Sequence, residues 1–86
     1  MKNVTNLVGT KWINKWPNGG YTIYEFISSD KFEHQSFGKT KSVKTYNYTY
    51  ESSTITAQET KANAKTITMK VVENKIIGSN FVFEKM

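Results

Sequence analysis

Three tyrosines at alternate positions are the residues whose type and spacing most clearly suggest recognition chemistry. Tyr46, Tyr48 and Tyr50 alternate with polar residues, and this alternation places their rings on one face of a β-strand. Lys41 and Lys44 precede them. Aromatic rings beside lysines can stack on bases while the ammonium groups attract phosphate. The stretch therefore predicts a surface for an anionic ligand with a planar group, such as a nucleotide.

The same tyrosines have a second interpretation, in which they belong to the protein core. Tyrosine has an apolar body and a polar tip, so the rings can pack inside while the hydroxyls reach the rim. One or two of the rings could then still line a small cavity. Trp16 and Tyr21 flank the first predicted turn and would support the same site. The predicted ligand-binding residues are Trp16, Tyr21, Lys44, Tyr46, Tyr48 and Tyr50.

Catalytic and metal-binding residues are sparse. The chain has one histidine, His34, and no cysteine, and no serine lies in a Gly-x-Ser-x-Gly context. Glu25 or Glu33 could orient His34, but Glu33 is its sequence neighbour and points to the opposite face of a strand. One histidine with scattered carboxylates does not match the usual zinc ligand sets. We expect no enzymatic activity, no metal and no cofactor.

The composition indicates one domain, residues 1–86, with a basic surface. Twelve aromatic residues must supply much of the core, since no disulfide is available. The net charge is +5, and all twelve basic residues are lysine. Such a charge suggests an acidic partner, such as a nucleotide, a nucleic acid, an anionic membrane or an acidic protein. The competing interpretation is a solvated surface whose lysine and asparagine content reflects an AT-rich genome.

The beginning of the chain carries no predicted targeting signal. The sequence MKNVTNLVG lacks an apolar run of signal-peptide length, and no segment is long and apolar enough to span a bilayer. We expect a cytoplasmic protein, or an exported one from which a leader has been removed.

Seven or eight short strands separated by polar turns account for the rest of the chain. Such regular spacing predicts an all-β fold, and closure into a small antiparallel meander barrel would remove the exposed edges. The turns are expected at 17–20, 29–31, 51–53 and 74–75. The strands are expected at 7–16, 21–28, 32–37, on both sides of the 51–53 turn within 43–58, at 65–73, and at 76–85 with a bulge or bend at 78–80. Residues 1–6 are expected to form an extended lead-in.

The apolar residues of these strands also alternate, which predicts a common interior. The residues expected to be buried together are Trp12, Ile67, Met69, Val71, Phe81 and Phe83.

Four segments, in this order along the chain, resemble the small lipocalin-like domains of bacteria and their phages. They are LVGTKW at 7–12, YTIYEF at 21–26, YNYTYESSTITA at 46–57 and IIGSNFVFEK at 76–85. The resemblance implies a meandering antiparallel barrel and a binding role. It favours a small molecule or nucleotide held at the barrel mouth.

Two other functions remain open. The protein could be a phage-encoded inhibitor that docks on an acidic host protein, which would suit its small size and high lysine content. It could also bind single-stranded nucleic acid on its sheet, as OB-like proteins do.

Overall fold

The computed structural model describes residues 7–86, which form eight strands and no helix. Each strand pairs antiparallel with the next strand of the chain, and β1 pairs with β8, so the sheet closes into a barrel. The predicted all-β meander barrel is thus confirmed, while the lead-in expected at 1–6 lies outside the described residues. The strands are β1 Lys11–Lys15, β2 Tyr21–Phe26, β3 Lys31–Phe37, β4 Lys41–Glu51, β5 Thr54–Glu59, β6 Thr66–Val72, β7 Lys75–Ile77 and β8 Val82–Lys85.

The seam between the first and last strands is short. Trp12 pairs with Lys85 and Ile13 pairs with Glu84. Beyond the ladder, the Met86 amide donates a hydrogen bond to the Lys11 carbonyl at 2.9 Å. Closing this seam satisfies the backbone groups of two strands that would otherwise be exposed edges.

The β4–β5 hairpin turns through Ser52 and Ser53, within the turn predicted from the sequence. Their φ angles are 53° and 62°, and two consecutive residues in the left-handed region are the requirement of a type I′ turn. This turn brings Glu51 opposite Thr54. The register of the hairpin therefore places Tyr46 and Tyr48 on the same face as Ile55 and Ala57.

The C-terminal segment is divided into two strands at residues 78–80. Of the bulge or bend predicted there, the structure has the bend, which reverses the chain between β7 and β8 and is closed by the Gly78 amide donating to the Phe81 carbonyl at 2.9 Å. The Phe81 ring occupies the space that a side chain at Gly78 would need, which favours this reversal. The preceding turn is formed by Glu73 and Asn74 rather than by residues 74–75, and Glu73 has a φ of 55°.

The first predicted strand is also shorter than expected. Residues 7–10 form a turn instead, in which the Gly9 amide donates to the Phe26 carbonyl at 2.8 Å. Gly9 has a φ of 84°, a conformation that favours glycine. The turn buries Leu7 in the core.

The core is aromatic, and Phe32 lies at its centre. This residue is fully buried and stacks on Tyr46 with ring centroids 5.0 Å apart. Its ring also contacts those of Tyr24, Phe26 and Tyr48. Every strand contributes at least one buried apolar side chain. Of the predicted core, Trp12, Met69, Val71 and Phe83 are buried, while Ile67 and Phe81 are partly buried and pack against it.

We expect Phe32→Ala to destabilise the protein by about 3–5 kcal/mol, the usual range for a buried phenylalanine. Small domains have a total stability of roughly 5–15 kcal/mol, so a large part of the free energy of unfolding would be lost. Urea denaturation followed by circular dichroism measures the change.

Val43→Ala is the matched control, because Val43 is 49% exposed on the outer wall. Its effect should stay within about 0.5 kcal/mol. A loss below about 1 kcal/mol for Phe32→Ala would contradict the central position of this ring.

Candidate functional site

The lysines are unevenly distributed between the two ends of the barrel. The loops that join β1 to β2, β3 to β4, β5 to β6 and β7 to β8 share one end, because consecutive strands are antiparallel. Among the described residues of these loops and the adjoining strand ends, the acidic side chains are Glu59 and Glu84, which is the third residue of β8 and lines a shallow pocket with Lys15. The lysines of this region, which we name the lysine-rich end, are Lys15, Lys39, Lys41, Lys44, Lys61 and Lys65.

The opposite end carries both signs of charge and is covered by the turn at 7–10. Asp30, Glu51 and Glu73 lie in or beside its loops. Leu7 is buried there, and the hydroxyl of Thr10 donates to its carbonyl at 2.6 Å. Interior-facing side chains are therefore approached from the lysine-rich end.

The three tyrosines of the predicted site do not form an exposed row of rings. Tyr46 and Tyr48 are buried, and Tyr50 packs against the core. The Tyr48 hydroxyl donates to the Ser28 carbonyl at 2.8 Å, in the β2–β3 loop at the opposite end. Tyr48 and Tyr50 therefore pack in or against the core. Of the three tyrosines, Tyr46 is the one that borders the lysine-rich end.

A pocket of about 460 Å³ opens beside Tyr46. We name it the mouth pocket. Tyr46 and Ile67 give it an apolar wall, while Glu59, Lys61 and Lys65 add charged groups; Asn63 and Ala64 complete its lining. Pockets that hold small molecules occupy about 300–1,000 Å³ and combine apolar walls with a few polar groups, so the mouth pocket has the size and composition of a ligand site.

The β5–β6 loop, which forms the outer side of this pocket, is held by hydrogen bonds. The Gln58 side chain donates to the Ala64 carbonyl at 2.6 Å. The Thr60 amide donates to the Thr45 carbonyl at 2.9 Å, which extends the β4–β5 pairing. The Lys61 ammonium lies 3.6 Å from the Glu59 carboxylate. The outer side of the pocket is therefore a loop whose backbone is held in place by hydrogen bonds.

His34 lies inside the barrel next to this region. Its ring meets Tyr24 edge-on at 5.4 Å and is 5.9 Å from the Tyr46 ring. Burial and the nearby Lys44 ammonium lower the pKa of His34, and the Glu59 carboxylate opposes them. The Nδ1 atom is buried without a hydrogen-bond partner. At neutral pH the imidazole is neutral and has an unused polar atom.

The interior tyrosines are protonated at neutral pH. Burial, followed by the charge of Tyr46, raises the pKa of Tyr24. Burial and then Glu59 raise the pKa of Tyr46, and burial and then Asp30 raise the pKa of Tyr48. The Tyr46 phenol is therefore a hydrogen-bond donor, which suits an anionic ligand.

Trp16 and Tyr21 lie at a separate place on the lysine-rich end. The indole of Trp16 donates to the Thr22 hydroxyl at 2.9 Å. Tyr21 faces outward and stacks on Phe37, with ring centroids 4.8 Å apart. Both Trp16 and Tyr21 line a groove of about 710 Å³, which we name the rim groove. The predicted site residues thus divide between the mouth pocket, the rim groove and the core.

Several residues of these pockets were absent from the predicted site. Glu59 lies opposite Tyr46 in the β4–β5 pairing, and the β5–β6 pairing with its loop brings Lys61, Lys65 and Ile67 to the same place. Phe37 could have been included in the predicted site from the sequence. It ends a predicted strand beside Gly38, just as Tyr21 begins a predicted strand beside Gly20.

The candidate catalytic residues do not meet. His34 points inward, while Glu25 and Glu33 face outward, where the Gln35 amide donates to both carboxylates at 3.0 Å. Among residues 7–86, no three histidine, aspartate or glutamate side chains form a group able to hold a metal ion. The described part of the chain also has no helix long and apolar enough to cross a membrane.

Comparison of the chain with protein-family models, with curated proteins and with solved structures finds no match.

We expect His34 to make the stability of the protein fall as the pH is lowered below about 6.5, the ordinary pKa of histidine. The unfolded chain takes up a proton in that range, whereas folded His34 resists it because its pKa is lowered. The contribution is complete above pH 6.5 and declines toward the folded pKa. Urea denaturation between pH 5 and pH 8 measures it.

His34→Gln removes this titration while leaving the carboxylates in place. The variant should therefore show a flatter dependence of its free energy of unfolding on pH over this interval. Equal slopes for the two proteins would show that His34 is protonated as readily when folded as when unfolded.

Proposed function

We propose that this protein is a non-enzymatic binding protein whose mouth pocket takes a small anionic ligand with a planar group, such as a nucleotide. The observation that carries the proposal is the concentration of lysines around a pocket walled by the Tyr46 ring. The pocket is concave, has a suitable volume and lies at the end where interior side chains are approached.

Each part of such a ligand has a counterpart in or beside the pocket. The ammonium groups of Lys65, in the pocket wall, and of Lys44, two residues before Tyr46 on the same face of β4, attract phosphate, and a planar ring packs against Tyr46 and Ile67. The Glu59 carboxylate, which has Lys61 on one side, accepts hydrogen bonds from amino or hydroxyl groups. Lysine forms point-like contacts rather than the bidentate contacts of arginine, so we expect modest selectivity among phosphates.

The filled interior favours the mouth rather than a deep cavity. Eight strands enclose a space that side chains can fill, and here Phe32 and its neighbours occupy it. The resemblance to lipocalin-like domains supports a ligand at the open end of a barrel. An acidic host protein, as expected for a phage-encoded inhibitor, would contact the same lysines, but a concave pocket of this volume suits a small molecule better.

We expect the double variant Lys44→Gln/Lys65→Gln to bind nucleoside monophosphates more weakly than the unaltered protein, by up to about 30-fold. Each surface ammonium contact is worth up to about 1 kcal/mol, and two such contacts correspond to about 30-fold in affinity. The double variant leaves the Glu59–Lys61 pair intact. Isothermal titration calorimetry with AMP, GMP, CMP and UMP at low salt measures the affinities.

The control is Lys11→Gln/Lys70→Gln, which makes the same change in net charge at exposed positions away from the pocket. It should bind like the unaltered protein. If both double variants lose the same affinity, the effect comes from net charge alone. If none of the four nucleotides binds saturably to the unaltered protein, a nucleotide is not the ligand.

A further inference from the structure

A row of four side chains crosses the outer wall of the barrel near the lysine-rich end. Lys15 pairs with Tyr21, Tyr21 pairs with Phe37, and Phe37 pairs with Lys41. All four point outward, because each alternates along its strand with residues that face the interior. Thr22, for example, follows Tyr21 and is buried. Neighbouring strands lie about 4.8 Å apart, so the row is roughly 14 Å long. We name it the outer aromatic row.

The two aromatic rings form the centre of this row, and positive charge lies at both ends. The rings of Tyr21 and Phe37 are stacked, with an angle of 21° between their planes. The Lys41 ammonium lies 5.5 Å from the centroid of the Phe37 ring. A cation over an exposed ring contributes only about 0.5–1 kcal/mol, so an incoming planar group can displace it.

The rim groove adjoins this row, and the Trp16 ring that lines it packs over two glycines. A side chain at Gly38 would come within 2.9 Å of the Trp16 ring, and one at Gly20 would come within 2.7 Å of the Phe37 carbonyl oxygen and collide with the same ring. The groove is lined by Trp16, Tyr21, Phe37 and Lys39 among others. It therefore provides a third aromatic ring and a further lysine next to the stack.

The wall beyond the row is partly apolar and then becomes acidic. The next row contains Ile13, Ile23, Gln35 and Val43, with Glu84 paired to Ile13 at its end, and Val43 is 49% exposed. Glu25 and Glu33 lie one row further from the lysine-rich end, held together by Gln35. A polyanion on this wall would thus be confined to the part nearest the lysines.

Aromatic rings flanked by lysines fit a flexible polyanion that carries planar groups. Single-stranded nucleic acid has both features, and stacking on an aromatic platform tolerates any base. A protein partner fits less well, because the cores of protein interfaces are enriched in arginine and depleted in lysine, and this chain has no arginine. A duplex hides its base faces and would leave the stacked rings unused.

We propose that the outer aromatic row and the rim groove form a second binding site, which takes single-stranded nucleic acid without marked sequence preference. Bases stack on Tyr21, Phe37 and Trp16, while Lys15, Lys39 and Lys41 contact phosphates. This site is separate from the mouth pocket and uses different residues, so it does not depend on the nucleotide proposed for that pocket.

Fluorescence anisotropy with labelled 12-nucleotide oligo(dT) and oligo(U) tests the proposal. Tyr21→Leu and Phe37→Leu keep an apolar side chain but remove a ring, and each should weaken binding roughly 5- to 150-fold, since stacking is worth about 1–3 kcal/mol per base. Lys15→Gln/Lys41→Gln should lower the slope of log affinity against log salt by about 1.4, because each phosphate contact on a single strand contributes about 0.7.

Matched controls distinguish stacking at this site from the effects of net charge, of unfolding and of the mouth pocket. Lys11→Gln/Lys70→Gln should retain the affinity and salt slope of the unaltered protein, and thermal unfolding should show that the leucine variants remain folded. Lys44→Gln/Lys65→Gln should retain most of the oligonucleotide affinity, whereas Tyr21→Leu should bind nucleoside monophosphates normally. The proposals for the two sites can therefore be refuted independently of each other.

Three results would overturn the proposal. Saturable oligonucleotide binding that folded Tyr21→Leu and Phe37→Leu leave unchanged would exclude stacking. Equal affinity for a 12-base-pair duplex would indicate attraction to phosphate alone. Equally effective competition by poly-glutamate would point to an acidic protein as the partner of this wall.

Discussion

The narrow interior of an eight-stranded barrel is the constraint on which the rest of the structure depends. Such a barrel is just wide enough for its own side chains to fill. In this chain, which has no disulfide, that space holds aromatic rings packed around Phe32. Because these rings hold the strands together, the fold leaves recognition to the ends and the outer wall. The same requirement explains why Tyr48 directs its hydroxyl to a loop carbonyl instead of to a ligand.

The two ends of the barrel are built differently, and the difference follows from the sequence of the loops. At one end, the turn at 7–10 covers the core with Leu7 and uses Gly9 to return to β1. At the other end, the loops bring lysines together, and Gly20 and Gly38 leave room for the Trp16 ring. The barrel therefore has one open, lysine-rich end and one covered end. The mouth pocket and the rim groove both belong to the open end, although one faces the interior and the other the outer wall.

The fold could be predicted from the sequence because its signals are local. Alternating residues mark the strands, and the polar pairs between them mark the turns. The errors lie where tertiary contacts override these signals. The predicted strand segment 76–85 is divided into β7 and β8 where Phe81 packs over Gly78, and residues 7–10 leave the predicted strand and bury Leu7. The site was harder to predict, since alternation places Tyr46, Tyr48 and Tyr50 on one face but does not say which face is inside. The proximity of Lys65 and Tyr46 depends on strand pairing, which the sequence pattern does not specify.

The central claim is that binding takes place at the lysine-rich end, and chemical-shift mapping of backbone amides with AMP tests it most directly. Titration of the isotope-labelled protein should shift the amides of residues 59–67 saturably, together with those of Lys44 and Tyr46. Amides at the opposite end, such as those of Ser28, Ser53 and Asn74, should stay in place. Saturable shifts confined to the opposite end, or shifts that never saturate, would contradict the account.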